Sequence, residues 1–303
     1  MDNAQPPRRQ RVISWVWLWL AVVAASTAAS LIRLAALPAL EAARLRLLLA
    51  GLVLLPFGLG AFVRRIDRAT FWGIAIASIA LAVHFGTWVE SLALTSVASS
   101  VVLVTASPLF VLLWEVAAHE PVRPTQWLGA LVSILGVALI SGGDFSQYGR
   151  TALTGDGLAL LGALAFSVYV RAGRKVRQRL PVLAYAAPVY TLAGLMLLAA
   201  QPAAGPLAWP LSGEAWLMTA LLVFGPTLVG HTGFNYALQA VPASSVAMVA
   251  LFEPLFAVLI AWPLLHTLPS AMDVLGGALA ICGLMVFEWR RPRESGRLGK
   301  TLG

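Results

Sequence analysis

Ionisable side chains stand inside long apolar runs of this chain, where a charge is costly and is therefore a candidate for ligand binding or ion coupling. Glu253 lies about ten residues into one such run and precedes Pro254, which removes a backbone hydrogen bond and tends to kink a helix. Ser107 and Pro108 occupy the matching place in an earlier run. We expect Glu253 to line a cavity or to carry a proton; the alternative is a buried carboxylate that bonds Arg or Tyr for structure alone.

Two histidines are each followed, four residues later, by a second side chain that can contact a ligand. His84 and Trp88 share one helix face, and His231 and Asn235 repeat the pattern 147 residues later. A histidine can bind a carboxylate or carry a proton near neutral pH, whereas the alternative is a neutral ring that bonds a neighbouring helix. We predict no metal site, because His84, His231 and Glu253 lack the close spacing of metal ligands.

Three further charges lie close together in another apolar run. Glu41 and Arg44 are three residues apart and can form an ion pair on one helix face. An arginine that faces a cavity, Arg44 or Arg46, could grip a carboxylate through two parallel hydrogen bonds. The alternative is that these side chains extend to the nearby membrane interface. Ser26 and Tyr169 are further polar candidates, and Phe166 could provide an aromatic wall together with Trp88.

The elements that must position these residues are membrane-spanning helices. Hydrophobic residues make up 59% of the chain and charged residues 11%, against roughly 25% charged in soluble domains. A membrane helix needs about 20 mainly apolar residues. Ten candidates meet this requirement, and we number them spans 1 to 10: 12–32, 38–62, 70–94, 97–118, 125–142, 155–172, 182–201, 214–239, 243–265 and 272–289.

The second half of the chain repeats the first. Residues 98–101 return as residues 243–246, and Pro108 returns as Pro254. Internal duplication of an apolar chain is typical of proteins whose ligand site lies between two repeats at the bilayer midplane. The repeated glycines, which predict close helix packing, are Gly129, Gly136, Gly276 and Gly283.

Five spans per repeat is an odd number, so the two copies must cross the membrane in opposite directions. We assign residues 1–142 to the first repeat and 143–303 to the second, which ends in a basic tail. With the N-terminus in the cytoplasm, 17 of the 21 Lys and Arg residues lie on the cytoplasmic side, two on the other side and two inside span 2. The positive-inside rule therefore predicts that both termini are cytoplasmic.

Several classes of function are disfavoured by the same residues. The net charge of +8 does not indicate nucleic-acid binding, because most basic residues lie in short loops between apolar runs. The sequence contains no phosphate-binding loop and neither a GxSxG nor an HExxH motif. We therefore predict no catalytic residues and no cofactor.

Together these residues resemble the drug/metabolite transporter superfamily, specifically its EamA-type members with ten helices. The likeness covers residues 12–290 and is carried by the segments 105–140 and 251–287. Glu120 matches the acidic residue that commonly ends the fourth helix of this family, whereas the second copy departs from the pattern at Thr267.

The resemblance implies an all-α membrane protein with two inverted five-helix repeats around a central cavity. Bacterial amino-acid and metabolite exporters, including those for aromatic amino acids, are the members that look most similar. Carried onto this chain, the resemblance places substrate-binding residues at Ser26, His84, Trp88, Ser107, Phe166, Tyr169, His231, Asn235 and Glu253. Structural or gating roles are predicted for Glu41, Arg44, Arg46, Pro108, Pro254 and Glu120.

The leading hypothesis is an inner-membrane exporter of amino acids or similar small metabolites that works by alternating access. A second hypothesis is efflux of hydrophobic cationic drugs, which would suit an acidic Glu253 in an aromatic cavity. A distant third is a membrane-embedded enzyme. The expected partners are a small-molecule substrate and membrane lipid, without nucleic acid, and we expect a monomer.

Overall fold

The computed structural model describes residues 7–35, 37–95, 97–140, 149–200, 211–265 and 270–289. Over these ranges the chain is helical between short connections, and no strand is present there. Eight helical stretches are long and apolar enough to cross a membrane, and two shorter apolar helices complete the ten predicted spans. The predicted fold class is therefore confirmed.

Six spans are single α-helices and four are interrupted. Spans 2, 3, 5, 6, 7 and 10 are Ala39–Arg65, Arg68–Leu94, Pro124–Ile140, Gly149–Arg177, Val182–Ala199 and Ala271–Glu288. Span 1 consists of Arg8–Ser26 and Ala28–Ala35, span 4 of Val97–Val104 and Ser107–Ala117, and span 9 of Ala243–Ala250 and Glu253–Leu265. Span 8 consists of Gly213–Leu222, the π-helix Val223–His231 and Thr232–Ala237.

The packing partners of the spans follow a two-fold pattern. Span 2 packs against span 7, span 4 against span 9 and span 5 against span 10, so each of these spans contacts its own repeat copy. Span 3 packs against span 6, and span 8 packs against span 1. If each span is exchanged with its equivalent in the other repeat, the contact between spans 3 and 6 becomes the contact between spans 8 and 1. The packing therefore has the symmetry expected of inverted repeats.

Spans 5 and 10 approach so closely that side chains would not fit between them. A Cβ atom at Gly136 would lie 2.5 Å from the backbone nitrogen of Ala280, and one at Gly276 would lie 2.5 Å from the carbonyl oxygen of Gly136. The Ser133 hydroxyl donates to the Ala280 carbonyl across the same contact at 2.8 Å. The predicted role of the repeated glycines in close packing is confirmed.

The breaks in spans 4 and 9 fall at equivalent places, as predicted. Each second helix begins one residue before a proline, so that Ser107 precedes Pro108 and Glu253 precedes Pro254. A proline is tolerated in the first turn because the missing N–H would have no intrahelical acceptor there. The break also sets Glu253 at a helix N-terminus, where the helix dipole favours a negative charge.

The π-helix in span 8 was not predicted. Pro226 lies within it, whereas the equivalent position in span 3 is Ile79 and that helix is regular. The hydroxyl of Thr227 donates to the carbonyl of Leu222, five residues back, at 2.9 Å. In the wider π-helical turn the Thr227 hydroxyl therefore reaches the carbonyl five residues back. In a regular α-helix it would reach the carbonyl four residues back. Segments of this kind often occur at functional sites.

One end of the bundle, which we call the basic end, is held together by arginines. Arg174 Nη1 donates to the carbonyls of Leu238 and Val241 at 2.7 and 2.8 Å, which ties span 6 to the connection between spans 8 and 9. Arg171 forms an ion pair with Glu120 at 2.8 Å. The predicted repeat boundary at 142/143, Thr267 and the basic tail after residue 289 lie outside the described residues. The repeat boundary and the cytoplasmic location of the termini stay predictions.

Candidate functional site

A buried arginine lies where spans 2, 3 and 8 meet. Arg46 is 2% exposed, and its Nε donates to the Thr227 hydroxyl at 3.0 Å. Its guanidinium carbon lies 4.8 Å from the centroid of the Phe85 ring, an attractive cation–π contact. Among the described residues, no carboxylate forms an ion pair with Arg46. The guanidinium therefore retains unused donors inside an apolar environment.

Among the acidic side chains, Glu253 has the strongest electrostatic interaction with Arg46. Its charge acts on Arg46, although the two groups do not form an ion pair. The residue is partly exposed, while the helix that precedes it, Ala243–Ala250, is buried throughout. We call Arg46, Phe85, Thr227, His231 and Glu253 the central cluster.

The two repeated histidines have different surroundings. His84 Nδ1 lies 2.9 Å from the Gly162 carbonyl, which can only accept, so this nitrogen carries the proton. His231 is also buried, but its Nδ1 has no hydrogen-bond partner among the described residues. Of the two alternatives for histidine, His84 matches the ring that bonds a neighbouring helix, and His231 keeps a free nitrogen.

Aromatic rings connect the two histidines. The His84 ring is stacked on Trp88, with 6.2 Å between the ring centroids, and lies 5.1 Å from the centroid of Phe166. The centroid of Phe85 lies 5.1 Å from that of His84 and 5.3 Å from that of His231. The structure thus places these predicted residues from spans 3, 6 and 8 along one continuous aromatic surface.

Tyr169 and Asn235 belong to a buried hydrogen-bond network that continues through the Thr232 hydroxyl to the carbonyl of Thr227. The Tyr169 hydroxyl donates to Asn235 Oδ1 at 2.8 Å, and Asn235 Nδ2 donates to the Tyr190 hydroxyl at 3.0 Å. The Tyr190 hydroxyl also lies 3.1 Å from the Thr232 hydroxyl. This network joins spans 6, 7 and 8. Its polar groups bond one another, so it supports the site rather than presenting free donors.

The two predicted serine positions differ in what they offer. Ser26 donates to the Val22 carbonyl of its own helix at 2.7 Å, so its hydroxyl is already used. Ser107 is buried at the break in span 4, at the position equivalent to Glu253. The indole nitrogen of Trp88 is buried without a hydrogen-bond partner among the described residues.

The residues predicted to have structural or gating roles fall into four places. Glu41 and Arg44 form a buried ion pair at 2.9 Å, as their spacing predicts. Glu120 is exposed at the basic end, paired with Arg171. Pro108 and Pro254 lie at the two breaks. Arg46 is separate from these, because its side chain is buried at the centre instead of reaching the interface.

Sequence reasoning missed three members of the site: Phe85, Thr227 and Tyr190. Phe85 and Tyr190 read as packing residues, and only Pro226 marked span 8 as irregular near Thr227. Within the described part of the chain, no group of three His, Cys, Asp or Glu residues could hold a metal ion.

Known proteins are similar to this chain in sequence and in fold. The model of the EamA-like transporter family matches residues 11–142 and again residues 153–289. An uncharacterized transporter of Bacillus subtilis is 28% identical over 60% of this chain and 59% of its own length. An uncharacterized transporter of Archaeoglobus fulgidus is 25% identical over 63% of this chain and 66% of its own. The matched region thus spans about three fifths to two thirds of these two relatives.

A third relative carries a more specific name. A probable terminal-alkyne amino-acid exporter of Streptantibioticus cattleyicolor is 31% identical over 65% of this chain and 67% of its own length. A solved crystal structure superposes with a TM-score of 0.79, covering 93% of this chain and 99% of its own, at 21% identity. That likeness concerns the fold alone. With both halves of the chain matched by the family model, the chain belongs to the EamA-like transporter family and is a multi-pass membrane protein.

Proposed function

We propose that this transporter exports amino acids or similar small zwitterionic metabolites across the inner (plasma) membrane by alternating access. The observation that carries the proposal is the buried Arg46 guanidinium, which has no ion-pair partner among the described residues. A charge in a low-dielectric interior is costly until an opposite charge compensates it. A substrate carboxylate would supply that compensation through two parallel hydrogen bonds.

Glu253 supplies the complementary half of a zwitterion site. Its carboxylate acts on Arg46 without contacting it, so a small molecule between them could place its carboxylate on Arg46 and its ammonium on Glu253. Binding would then leave the net charge of the site unchanged. The free Nδ1 of His231 offers one further hydrogen bond to the substrate.

The aromatic surface of span 3 suits the rest of such a substrate. The rings of His84 and Trp88 are nearly parallel, and the Phe166 ring packs against His84 at an angle of 46°. An apolar or aromatic side chain packs well against rings in offset or edge-to-face geometry. Of the predicted substrate-binding residues, the proposal keeps His84, Trp88, Ser107, Phe166, His231 and Glu253 and adds Arg46, Phe85 and Thr227. Ser26, Tyr169 and Asn235 are proposed to support the site through their own hydrogen bonds.

Alternating access is supported by the breaks in spans 4 and 9 at equivalent repeat positions. The arginine contacts of span 6 would close the basic end, which we take to be cytoplasmic. Rocking of the two bundles would break these contacts and open the site to that side. The direction of transport rests on the name of the relative in Streptantibioticus.

Efflux of hydrophobic cations is the second candidate, because the carboxylate of Glu253 and the aromatic rings of spans 3 and 6 could both attract a cation. The positive charge of Arg46 belongs to the same cluster as Glu253 and would repel such a substrate. The zwitterion therefore fits the charges better than the cation does.

Counterflow in proteoliposomes tests the proposal. Purified protein is reconstituted with a high internal concentration of one amino acid at a time, and uptake of the labelled compound is followed. We expect accumulation for a subset of amino acids and none in protein-free liposomes. Flux of cationic dyes without flux of any amino acid, from protein shown to be folded, would replace this proposal by the second candidate.

A further inference from the structure

A groove of about 580 Å³ opens at the basic end, well away from the central cluster. It runs between the first turns of span 3 and the last turns of span 6, and Trp114 of span 4 forms its far side. At its floor spans 3 and 6 touch, because Gly73 has no side chain to separate it from Val176. The groove thus lies on the outer surface of the bundle, at the level where apolar spans give way to charged loops.

The end of the groove nearest the loops is basic. Arg171, Lys175 and Arg179 follow one another at four-residue spacing and therefore lie on one face of the chain as span 6 ends. Arg171 pairs with Glu120, and Arg179 pairs with Asp67 at 3.0 Å.

These two ion pairs are accessible, whereas the third cation is unpaired. In each pair at least one of the two side chains is about half exposed. Exposed ion pairs contribute little stability, so an incoming anion can compete with the carboxylate for either arginine. A hydrogen bond from the Thr70 backbone amide, together with the charge of Arg179, holds the pKa of Asp67 below its usual value. Lys175 forms no ion pair with any described residue and is exposed.

The remainder of the groove is apolar and aromatic. Trp72 and Ile76 are exposed on span 3, and Val168 faces them from span 6. The indole nitrogen of Trp114 donates to the Ser167 hydroxyl at 3.1 Å, which fixes the orientation of its ring along the wall. Tryptophan rings at this depth of a membrane protein commonly lie among lipid headgroups.

We propose that this groove is a binding site for an anionic phospholipid of the surrounding bilayer. Its phosphate contacts Lys175 and competes for Arg171 and Arg179, while an acyl chain lies along Trp72 and Trp114. The charge of the basic end selects an anionic over a zwitterionic headgroup, and the apolar walls select a lipid over a soluble anion. The site is independent of the proposed substrate, so either proposal can fail without the other.

Native mass spectrometry of the detergent-solubilised protein tests this site. Phosphatidylglycerol and phosphatidylcholine are titrated separately, and the affinity for the first bound lipid is measured. We expect tighter binding of phosphatidylglycerol, a loss of about fivefold in Lys175→Ala, and recovery in Lys175→Arg. The matched control is Arg64→Ala, which removes an exposed charge at the same end but outside the groove, and it should leave the affinity unchanged.

Three results would overturn the proposal. Equal affinity of the unaltered protein for the two lipids would show that the groove does not select charge. Equal losses of phosphatidylglycerol affinity in Lys175→Ala and Arg64→Ala would show that the lipid is attracted by the overall surface charge and not by the groove. Displacement of phosphatidylglycerol by an equal concentration of glycerol phosphate would identify a soluble anion as the ligand. The first and third measurements use the unaltered protein, so they do not depend on the folding of any variant.

Discussion

Spans 3 and 8 occupy equivalent positions in the two repeats, and they differ where they meet the central cluster. Span 3 is a regular helix in which His84 bonds Gly162, whereas span 8 contains a π-helix in which the Nδ1 of His231 has no partner among the described residues. The same π-helix holds Thr227 against Arg46. The two equivalent helices thus carry one histidine whose Nδ1 is hydrogen-bonded and one whose Nδ1 has no described partner.

The charges of the site break the symmetry in the same way. Arg46 in span 2 corresponds to Val189 in span 7, and Glu253 in span 9 corresponds to Ser107 in span 4. The helices are thus repeated in both halves, whereas the charged residues of the site occur in one half only. We call these residues the single-copy residues. If this view is right, substitutions in the single-copy residues should affect transport, while their repeat partners should tolerate change.

The largest effect is expected for Arg46→Ala. Removing the only guanidinium of the central cluster leaves a substrate carboxylate without its partner, and losing such a contact typically costs 2–5 kcal/mol or more. We expect transport efficiency in proteoliposomes to fall roughly 100-fold. The control is Val189→Ala, which should keep most activity. Equal losses in both variants, at equal folded yield, would mean that Arg46 acts through packing only.

Glu253→Gln should have the next largest effect, about tenfold on transport rate. If Glu253 carries the coupled proton, the amide variant should also lose the pH dependence of transport, because glutamine does not titrate. The profile is measured from pH 5 to 8 by imposed gradients in proteoliposomes. Ser107→Ala at the repeat partner should retain the pH dependence. An unchanged profile in Glu253→Gln would remove this residue from coupling.

The histidines give the sharpest version of the comparison. His84→Ala removes a buried ring together with its hydrogen bond to the Gly162 carbonyl and should lower stability by about 1–3 kcal/mol, seen as a reduced melting temperature. His231→Ala breaks no described side-chain hydrogen bond at Nδ1 and should instead raise the substrate KM about fivefold. The two variants remove the same ring, so a reversed pattern would assign the hydrogen bond to the substrate to His84 instead of His231.

The smallest effect is expected for Ser26→Ala. The hydroxyl bonds the Val22 carbonyl of its own helix, and such a bond is nearly neutral to helix stability. Transport should change by no more than about twofold. Its repeat partner Ser167 also accepts from Trp114, so Ser167→Ala should change transport more. A large loss in Ser26→Ala alone would place Ser26 among the groups that contact substrate.

The ten spans, both proline breaks and the glycine contacts could be predicted because their signals are local. Hydropathy defines a span, proline marks a break, and a repeated glycine marks close packing. The pairing of Glu41 with Arg44 followed equally from helical spacing. Repetition strengthened each of these signals, because the second copy independently presented the same pattern.

The central position of Arg46 could not be predicted in the same way. Arg46 lies close enough to the end of span 2 that its side chain could either reach the membrane interface or face a cavity. Its burial depends on Phe85 and on Thr227, the latter 181 residues away along the chain. The π-helix likewise reflects Pro226 together with its packing against span 1. Contacts of this kind arise only from the assembled bundle.

The close contact between spans 5 and 10 has a consequence for how the protein is made. Ser133 bonds the carbonyl of Ala280, which the ribosome reaches 147 residues later. At about 5–20 residues per second, this delay lasts roughly 7–30 seconds. Throughout that interval the glycine face of span 5 is already in the membrane and lacks its partner. Biogenesis therefore includes a period in which half of the molecule depends on lipid, or on a helper protein, to cover a surface built for its own second half.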